Sequence, residues 1–371
     1  MKIVTPKDPT PDSYKSSIFL AGPIPRGSYE GLLWQDAACG ILGDKGYDGV
    51  VFVPCPYVGD YSKQVEWEDE HLNMADCILF WVPRSKDLPG FTTNVEFGEW
   101  MKSGKVILGA PHGAERIRYL TTKAAQYGIT VRDDLEITVD SALDLINKGW
   151  ERTGGERHVP LNIWRTASFQ SWYKQLKVAG NRLDGAKVEW VFRAGPGVFA
   201  WAMHVNIHVT SENRNKSNEF IFSRPDICAV LAHTTDNAII FIKEFRSPCS
   251  NSTGFVTELP SGSSKTTKSM LEAAYDEFSE ETGFKFDINR LEYVESRQMA
   301  ATLSTHKVHL FDLPISQEEY LLIGASGKAH GVEQDTERTS VTGLWPVNVL
   351  NRSEVDWGTL GMVAKILWKP E

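Results

Sequence analysis

The chain has little that would mark it as secreted, membrane-embedded or bound to nucleic acid. Its 371 residues include five cysteines, Cys39, Cys55, Cys77, Cys228 and Cys249. They are odd in number and scattered, with no CxxC pair and no His at zinc-ligand spacing. This excludes a disulfide framework and a zinc finger and leaves reduced, mostly buried thiols as the expectation. No apolar run approaches the roughly 18 residues of a membrane span, and the start, Met1-Lys2-Ile3-Val4-Thr5-Pro6-Lys7-Asp8, has no apolar signal core. A cytoplasmic protein without a membrane partner is expected. Positive charge is also scarce, with 39 Lys and Arg against 48 Asp and Glu and a formal net charge of −9. A protein that grips nucleic acid by its phosphates needs the reverse balance, so no nucleic-acid partner is expected. A small anionic substrate stays compatible if a metal screens it. Internal repeats and low-complexity tracts are absent as well.

What is present is the composition of a folded globular protein, 42% hydrophobic and 23% charged. The length suits two domains of roughly 100–200 residues each. From Ser17 to about Lys148, short apolar runs alternate with segments that carry apolar residues at helical spacing. The runs Ile18–Ala21, Val50–Val53, Cys77–Trp81 and Val106–Gly109 read as buried parallel strands. Gly31–Leu42, Ser62–Ala75 and Asn94–Ser103 read as helices between them. A doubly wound α/β domain over residues 1–150 follows, with its ligand beyond the C-terminal ends of the strands. Residues 151–185, polar at first and then rich in Trp164, Trp172 and Tyr173, read as an ordered linker. Over residues 186–371 the strands read as antiparallel, with a hairpin turning at Asp236-Asn237 between Ala229–Ala232 and Ala238–Phe245. One strong helix, Ser269–Thr282, then a strand at Lys307–Leu313 and a last helix ending near Trp368 complete this half.

On the helix Ser269–Thr282, helical spacing puts Leu271, Ala274, Tyr275 and Phe278 on one face and Glu277, Glu280 and Glu281 on another. Carboxylates at this spacing repel by about 0.2–0.5 kcal/mol per pair in water, and more as the site dries out. A divalent cation removes that cost, and hard carboxylate oxygens suit Mg²⁺. A solvated acidic face is the competing reading. The surrounding pattern weighs against it, because Gly262 through Phe284 resembles the Nudix box, G-x5-E-x7-R-E-U-x-E-E-x-G-U. The lead-in Glu258-Leu259-Pro260-Ser261-Gly262 and the earlier Glu244-Phe245-Arg246-Ser247-Pro248 resemble the ADP-ribose pyrophosphatase branch of that family. Two positions depart from it: Lys268 stands at the first box Glu and Asp276 at the box Arg, which helps orient the glutamates in the family. The resemblance implies Mg²⁺ on Glu277, Glu280 and Glu281, activating a water against a diphosphate. It also implies a further catalytic Glu in the later acidic loop, Glu337 before Glu333, with an ordinary charged loop as the alternative. Arg246 is either a substrate-binding group or the partner of a carboxylate at a strand end.

In the first half, Glu96 is expected in the first turn of its helix, beyond the third strand, where the helix dipole favours an ionised carboxylate by about 0.3–1 kcal/mol. On the preceding helix, Glu68 falls on the side of Val65 and Leu72, and an acid pointing inward needs a partner or a task. Ile18-Phe19-Leu20-Ala21-Gly22-Pro23, Trp67-Glu68, Ala75–Trp81 and Asn94-Val95-Glu96-Phe97-Gly98 together resemble the nucleoside 2-deoxyribosyltransferase superfamily, which includes nucleotide N-glycoside hydrolases. The resemblance implies Glu96 as the nucleophile on the anomeric carbon, Glu68 as an active-site acid, and substrate contacts from Phe19, Gly22, Thr92 and Asn94. Arg26 is a candidate for a 5′-phosphate. Asp76 reads as support for the third strand. Gly90 stands where family members often carry an acid six positions before the nucleophile, which leaves protonation of the departing base without a residue.

Together the two resemblances imply a flavodoxin-like doubly wound parallel sheet followed by a Nudix α/β/α sandwich with mixed and antiparallel sheets. The expected function is bifunctional: cleavage or transfer of an N-glycosidic bond, and Mg²⁺-dependent hydrolysis of a nucleoside diphosphate linkage such as that of ADP-ribose. A nucleotide-binding sensor or scaffold with a degenerate Nudix site is the alternative, motivated by Lys268 and Asp276, as is a chain with one active domain. A homo-oligomer acting on a small-molecule nucleotide is expected by analogy.

Overall fold

Unbroken apolar runs make the strands of a parallel sheet because such strands are covered on both faces. In the computed structural model, which describes residues 1–25, 33–55, 60–263, 268–324, 330 and 338–368, the strands of the first half are β1 (Lys2–Val4), β2 (Ser13–Tyr14), β3 (Ser17–Ala21), β4 (Val50–Phe52), β5 (Cys77–Trp81), β6 (Val106–Gly109) and β7 (Val131–Arg132). All but β2 pair in parallel in the order β1-β4-β3-β5-β6-β7. The connecting helices are α1 (Trp34–Asp44), α2 (Tyr61–Met74), α3 (Phe91–Trp100), α4 (Arg118–Gln126) and α5 (Leu135–Ile146). Side chains alternate along each strand. Ile18, Leu20 and Leu79 pack with Leu42 of α1 and Val139 of α5, while Phe19, Ile78 and Phe80 pack with Leu72 of α2, Phe97 of α3 and Leu120 of α4. The chain leaves β3 through α1 towards β4 and crosses back through α2 to β5. The winding therefore reverses between β3 and β5, and a crevice opens at their C-terminal ends.

The chain divides into two compact units, Met1–Ser223 and Arg224–Glu371. Residues 151–223 thus pack with the first unit, where the sequence pattern suggested a linker to 185 and a second domain from 186. They form β8 (Arg152–Thr153), which pairs with β2, then α6 (Leu161–Trp164), α7 (Ala167–Val178) and an antiparallel sheet of β9 (Arg182–Ala194), β10 (Gly197–Val209) and β11 (Arg214–Ser223). The reason is apolar burial. Trp164, Phe169, Tyr173, Trp201 and Met203 belong to the same core as Leu20 and Leu79. A buried ion pair fastens this segment. Arg152 donates from both terminal nitrogens to Asp76, whose oxygens also accept from the backbone N–H groups of Ser17 and Leu161, each at 2.8 Å. Asp76 does support its strand, and Arg152 is the partner that the sequence did not reveal.

The second unit is built on one mixed sheet of seven strands: β12 (Ile227–His233), β13 (Ile239–Phe245), β14 (Phe255–Glu258), β15 (Ser261–Ser263), β16 (Glu292–Gln298), β17 (Lys307–Pro314) and β18 (Ser340–Leu344). β12 and β17 run parallel, and the other pairs are antiparallel. The expected hairpin turn is present between β12 and β13, with Asn237 at φ 65°. Of the helices α8 (Met270–Thr282), α9 (Gln317–Gly324), α10 (Pro346–Leu350) and α11 (Trp357–Leu367), α8 covers one face through Ala274 and Phe278, and α11 covers the other through Val363 and Ile366. α8 starts at a capping box of Ser269 and Glu272 and stops at Gly283, φ 71°. All five cysteines are free thiols, and no helix among the described residues is long and apolar enough to cross a membrane.

Candidate active site

The crevice of the first unit is set by close backbone approaches. A Cβ on Gly22, just past β3, would collide with the carbonyl oxygen of Trp81 and approach the Trp34 ring to 2.8 Å, so only glycine fits there. Gly90, in the left-handed region at φ 60°, caps α3, and a Cβ there would stand 3.1 Å from Pro23. The loops after β3 and β5 therefore meet at the reversal point of the sheet. α3 begins at Phe91, three residues earlier than its periodicity suggests, because Gly90 offers no side-chain cap of the kind that marks a helix start. Glu96 is consequently in the second turn rather than the first, and the stabilisation of its charge by the helix dipole is largely lost.

Its electrostatics follow from that position. Burial, and then the charges of Glu68, Asp69 and Glu99, push Glu96 up to about 7. Glu68, on α2, is also raised by burial, although Gln64 donates to its Oε1 at 2.9 Å. Both carboxyl groups are therefore held back from ionising, Glu96 by burial and by the charge of Glu68 among others, and Glu68 by its own burial. Such a pair supplies one attacking carboxylate and one proton, which is what breaking a glycosidic bond requires.

The remaining sites expected in this unit are placed differently. Val65 is 38% exposed and does not face the core. Phe19 is 1% exposed and packs on Trp67 with ring centroids 6.1 Å apart, so its side chain belongs to the core rather than to a substrate surface. Thr92 is exposed on α3, and Asn94 accepts a hydrogen bond from Arg84. Arg26 lies outside the described residues. Lys105 is another buried ionisable group of which the sequence carries no sign. Its Nζ donates to the carbonyls of Leu72 and Asn73 at 2.6 and 2.7 Å, satisfying the end of α2, and burial drives it down to about 7.

In the second unit, α8 brings Glu277 and Glu281 to the same side, one turn apart. The Glu277 carboxyl lies against Gly262, in the space that a Cβ there would occupy. Glu281 is buried and accepts from the backbone N–H of Ser261 at 2.9 Å. Burial, together with Glu277, Glu258 and Glu244, raises its pKa well above the ordinary range. Arg246 bridges Glu244 at 2.8 Å and Glu258 at 2.7 Å, so it is the partner of carboxylates at strand ends. The charges of those two acids also reach Glu281, and only their place in the motifs around Arg246 and Gly262 hinted at it. Glu280 is exposed on α8 and is not gathered with them. No cluster of three or more His, Cys, Asp or Glu side chains stands ready to hold a metal among the described residues. The oxygen-only pair of Glu277 and Glu281, seated on a glycine, nonetheless suits a hard divalent cation that keeps several of its waters. Lys268 and Asp276, the two departures from the box, form an ion pair with each other. Glu333 and Glu337 lie outside the described residues.

A family model described as "nucleoside 2-deoxyribosyltransferase like" matches residues 15–114. The match runs from just before β3 to the loop before α4 and includes Glu68, Glu96, Gly22 and Gly90. A search of curated proteins gives no match. The chain thus carries an N-terminal nucleoside 2-deoxyribosyltransferase-like domain over residues 15–114.

Proposed function

We propose that the first unit cleaves or transfers the bond between base and sugar in a nucleoside or nucleotide. The observation that carries this reading is the Glu96–Glu68 pair, with Glu96 pushed up to about 7, at the strand ends where the sheet reverses. Counted from β3, the strand order is 2-1-3-4-5 with β1 added at the edge, which supports a flavodoxin-like sheet. The ionised Glu96 attacks the anomeric carbon. The carbon–nitrogen bond breaks with its electron pair going to the base, and Glu68, as the acid, gives its proton to the departing nitrogen. Water or a second base then takes the sugar from Glu96 and gives up its own proton to Glu68, which regenerates the Glu96 carboxylate and the Glu68 acid. Chromatography of nucleosides, nucleoside monophosphates and NAD⁺ incubated with the full chain tests this. Base release that disappears in Glu96→Ala is expected. Release that survives in Glu96→Ala, or no release from any substrate, overturns it.

A second reading concerns the second unit, as a Nudix-like hydrolase of a nucleoside diphosphate linkage. It is favoured by the seating of Glu277 on Gly262 beside the buried Glu281. Glu277 and Glu281 would hold Mg²⁺, with Glu258 and Glu244 behind them. When bound, the ion would supply Lewis acidity and screen the phosphates. Hydrolysis of ADP-ribose that needs Mg²⁺ and is lost in Glu281→Gln supports this reading. Nucleotide binding without turnover, unchanged in Glu281→Gln, favours a sensor instead. A homo-oligomer belongs to the same proposal and is read from sedimentation.

A further inference from the structure

The loop after β5 and the first turns of α3 and α4 enclose a cleft of about 530 Å³. Arg84, Lys86 and Arg116 line it beside Asn94, and the rings of Phe91 and Tyr119, each 71% exposed, stand at its wall. In a chain of net charge −9, three cations converge here with Glu115 the one acid among the described lining residues. Arg84 is the centre of the group. Its terminal nitrogens donate to the carbonyl of Arg116, at 3.3 Å, and to Oδ1 of Asn94, both neutral acceptors. Its Nε is buried without a hydrogen-bond partner, and no carboxylate pairs with it among the described residues. Burial accordingly lowers its pKa with nothing to offset the effect. Arg116 adopts φ 52°, a left-handed conformation rare for a residue with a side chain. A half-buried guanidinium with spare donors, two further cations and two exposed aromatic rings match an anion joined to a flat ring system.

We propose that this cleft binds a nucleoside phosphate, the phosphate held by Arg84, Lys86 and Arg116 and the base stacked on Phe91 or Tyr119. It is a different place from the Glu96 crevice. Phe91 and Asn94, three residues apart, share one side of α3, whereas Glu96, two positions beyond Asn94 and five beyond Phe91, projects from the far side. The inference therefore stands or falls separately from the glycosidic reading. The cleft volume is within the range of small-ligand pockets.

Isothermal titration of the full chain as Glu96→Gln, with turnover removed, tests the site. The probes are the adenosine, guanosine, cytidine and uridine 5′-monophosphates, adenosine alone and inorganic phosphate. At least one monophosphate should bind, and adenosine and phosphate should each bind at least about tenfold more weakly. Lys86→Ala with Arg116→Ala, both exposed and distant from the core, should weaken the monophosphate by about tenfold or more, and Tyr119→Ala should weaken it about threefold or more. The proposal is overturned if no monophosphate binds, if the Lys86/Arg116 double variant binds as tightly as its parent, or if phosphate alone binds as tightly as the nucleotide.

Discussion

Glu96 in the first unit and Glu281 in the second are both pushed upward by burial and by neighbouring acids, yet their surroundings answer that pressure differently. Glu96 receives no hydrogen bond among the described residues, and its neighbours Glu68, Asp69 and Glu99 are all acidic. Taking up a proton is what relieves that repulsion. Glu281 accepts from the N–H of Ser261, and Arg246 stands close enough to feel its charge. There the repulsion is met in part by fixed donors. Under the two proposals, the same perturbation serves proton transfer in one unit and cation binding in the other.

The strongest test of that contrast is to exchange the losses. Glu96→Ala should reduce base release by about a thousandfold or more, the effect of deleting a nucleophile, while leaving Mg²⁺-dependent diphosphate hydrolysis intact. Glu281→Gln should do the reverse, and initial rates on both substrates with both proteins decide it. A shared loss would show that the two carboxylates do not have separable tasks.

A third buried carboxylate, Asp76, sharpens the comparison because it is fully partnered. It is held by Arg152 and the N–H groups of Ser17 and Leu161. Arg152→Met should destabilise the first unit by about 3–5 kcal/mol, the cost of leaving a buried charge unpaired. Denaturant unfolding followed by tryptophan fluorescence measures it. A change below about 1 kcal/mol would mean that water replaces the guanidinium.

The pH dependence separates Glu96 from the rest. With its folded pKa raised from 4.5 to about 7, its contribution to stability is fully present below the unfolded value and is lost as pH rises through 7. Glu96→Gln, which removes the charge, should therefore stabilise the protein by about 1–3 kcal/mol at pH 8 and by much less at pH 5. Base release by the native chain should rise with pH on an acid limb near 7, as the attacking carboxylate ionises. Equal thermal shifts at the two pH values would remove the raised pKa from the argument.

The parallel strands were legible because each is an unbroken apolar run, and β3 to β6 fall within a residue of their expected ends. The start of α3 was not, since Gly90 caps by its left-handed backbone and carries no side-chain signal. The unit boundary was missed for a similar reason. Trp164, Phe169 and Trp201 announce burial without saying in which core, and only the Arg152–Asp76 pair, 76 residues apart, shows that they close the first. Glu96 and Glu281 could be named from their motifs, but the difference between them is set by Ser261 and Arg246, whose contacts with the second depend on tertiary approach.

The smallest effect concerns Lys268 and Asp276, the two positions at which α8 and its lead-in depart from the expected box. Their charges are reversed relative to the Glu and Arg that the box carries, and they pair with each other. Both are partly exposed, so the pair contributes only about 0.2–1 kcal/mol to stability. Its consequence is for position, because Asp276 adjoins Glu277 and any drift in that stretch of α8 moves the carboxylate seated on Gly262. Lys268→Glu alone would set an acid against Asp276 and should lower diphosphate hydrolysis by several-fold, with a thermal midpoint shift of about 1–3 °C. Adding Asp276→Arg restores an attractive pair of opposite polarity, so rate and midpoint should return together. A double variant no better than the single one would show that the polarity itself matters, and that the pair does more than hold the helix in place.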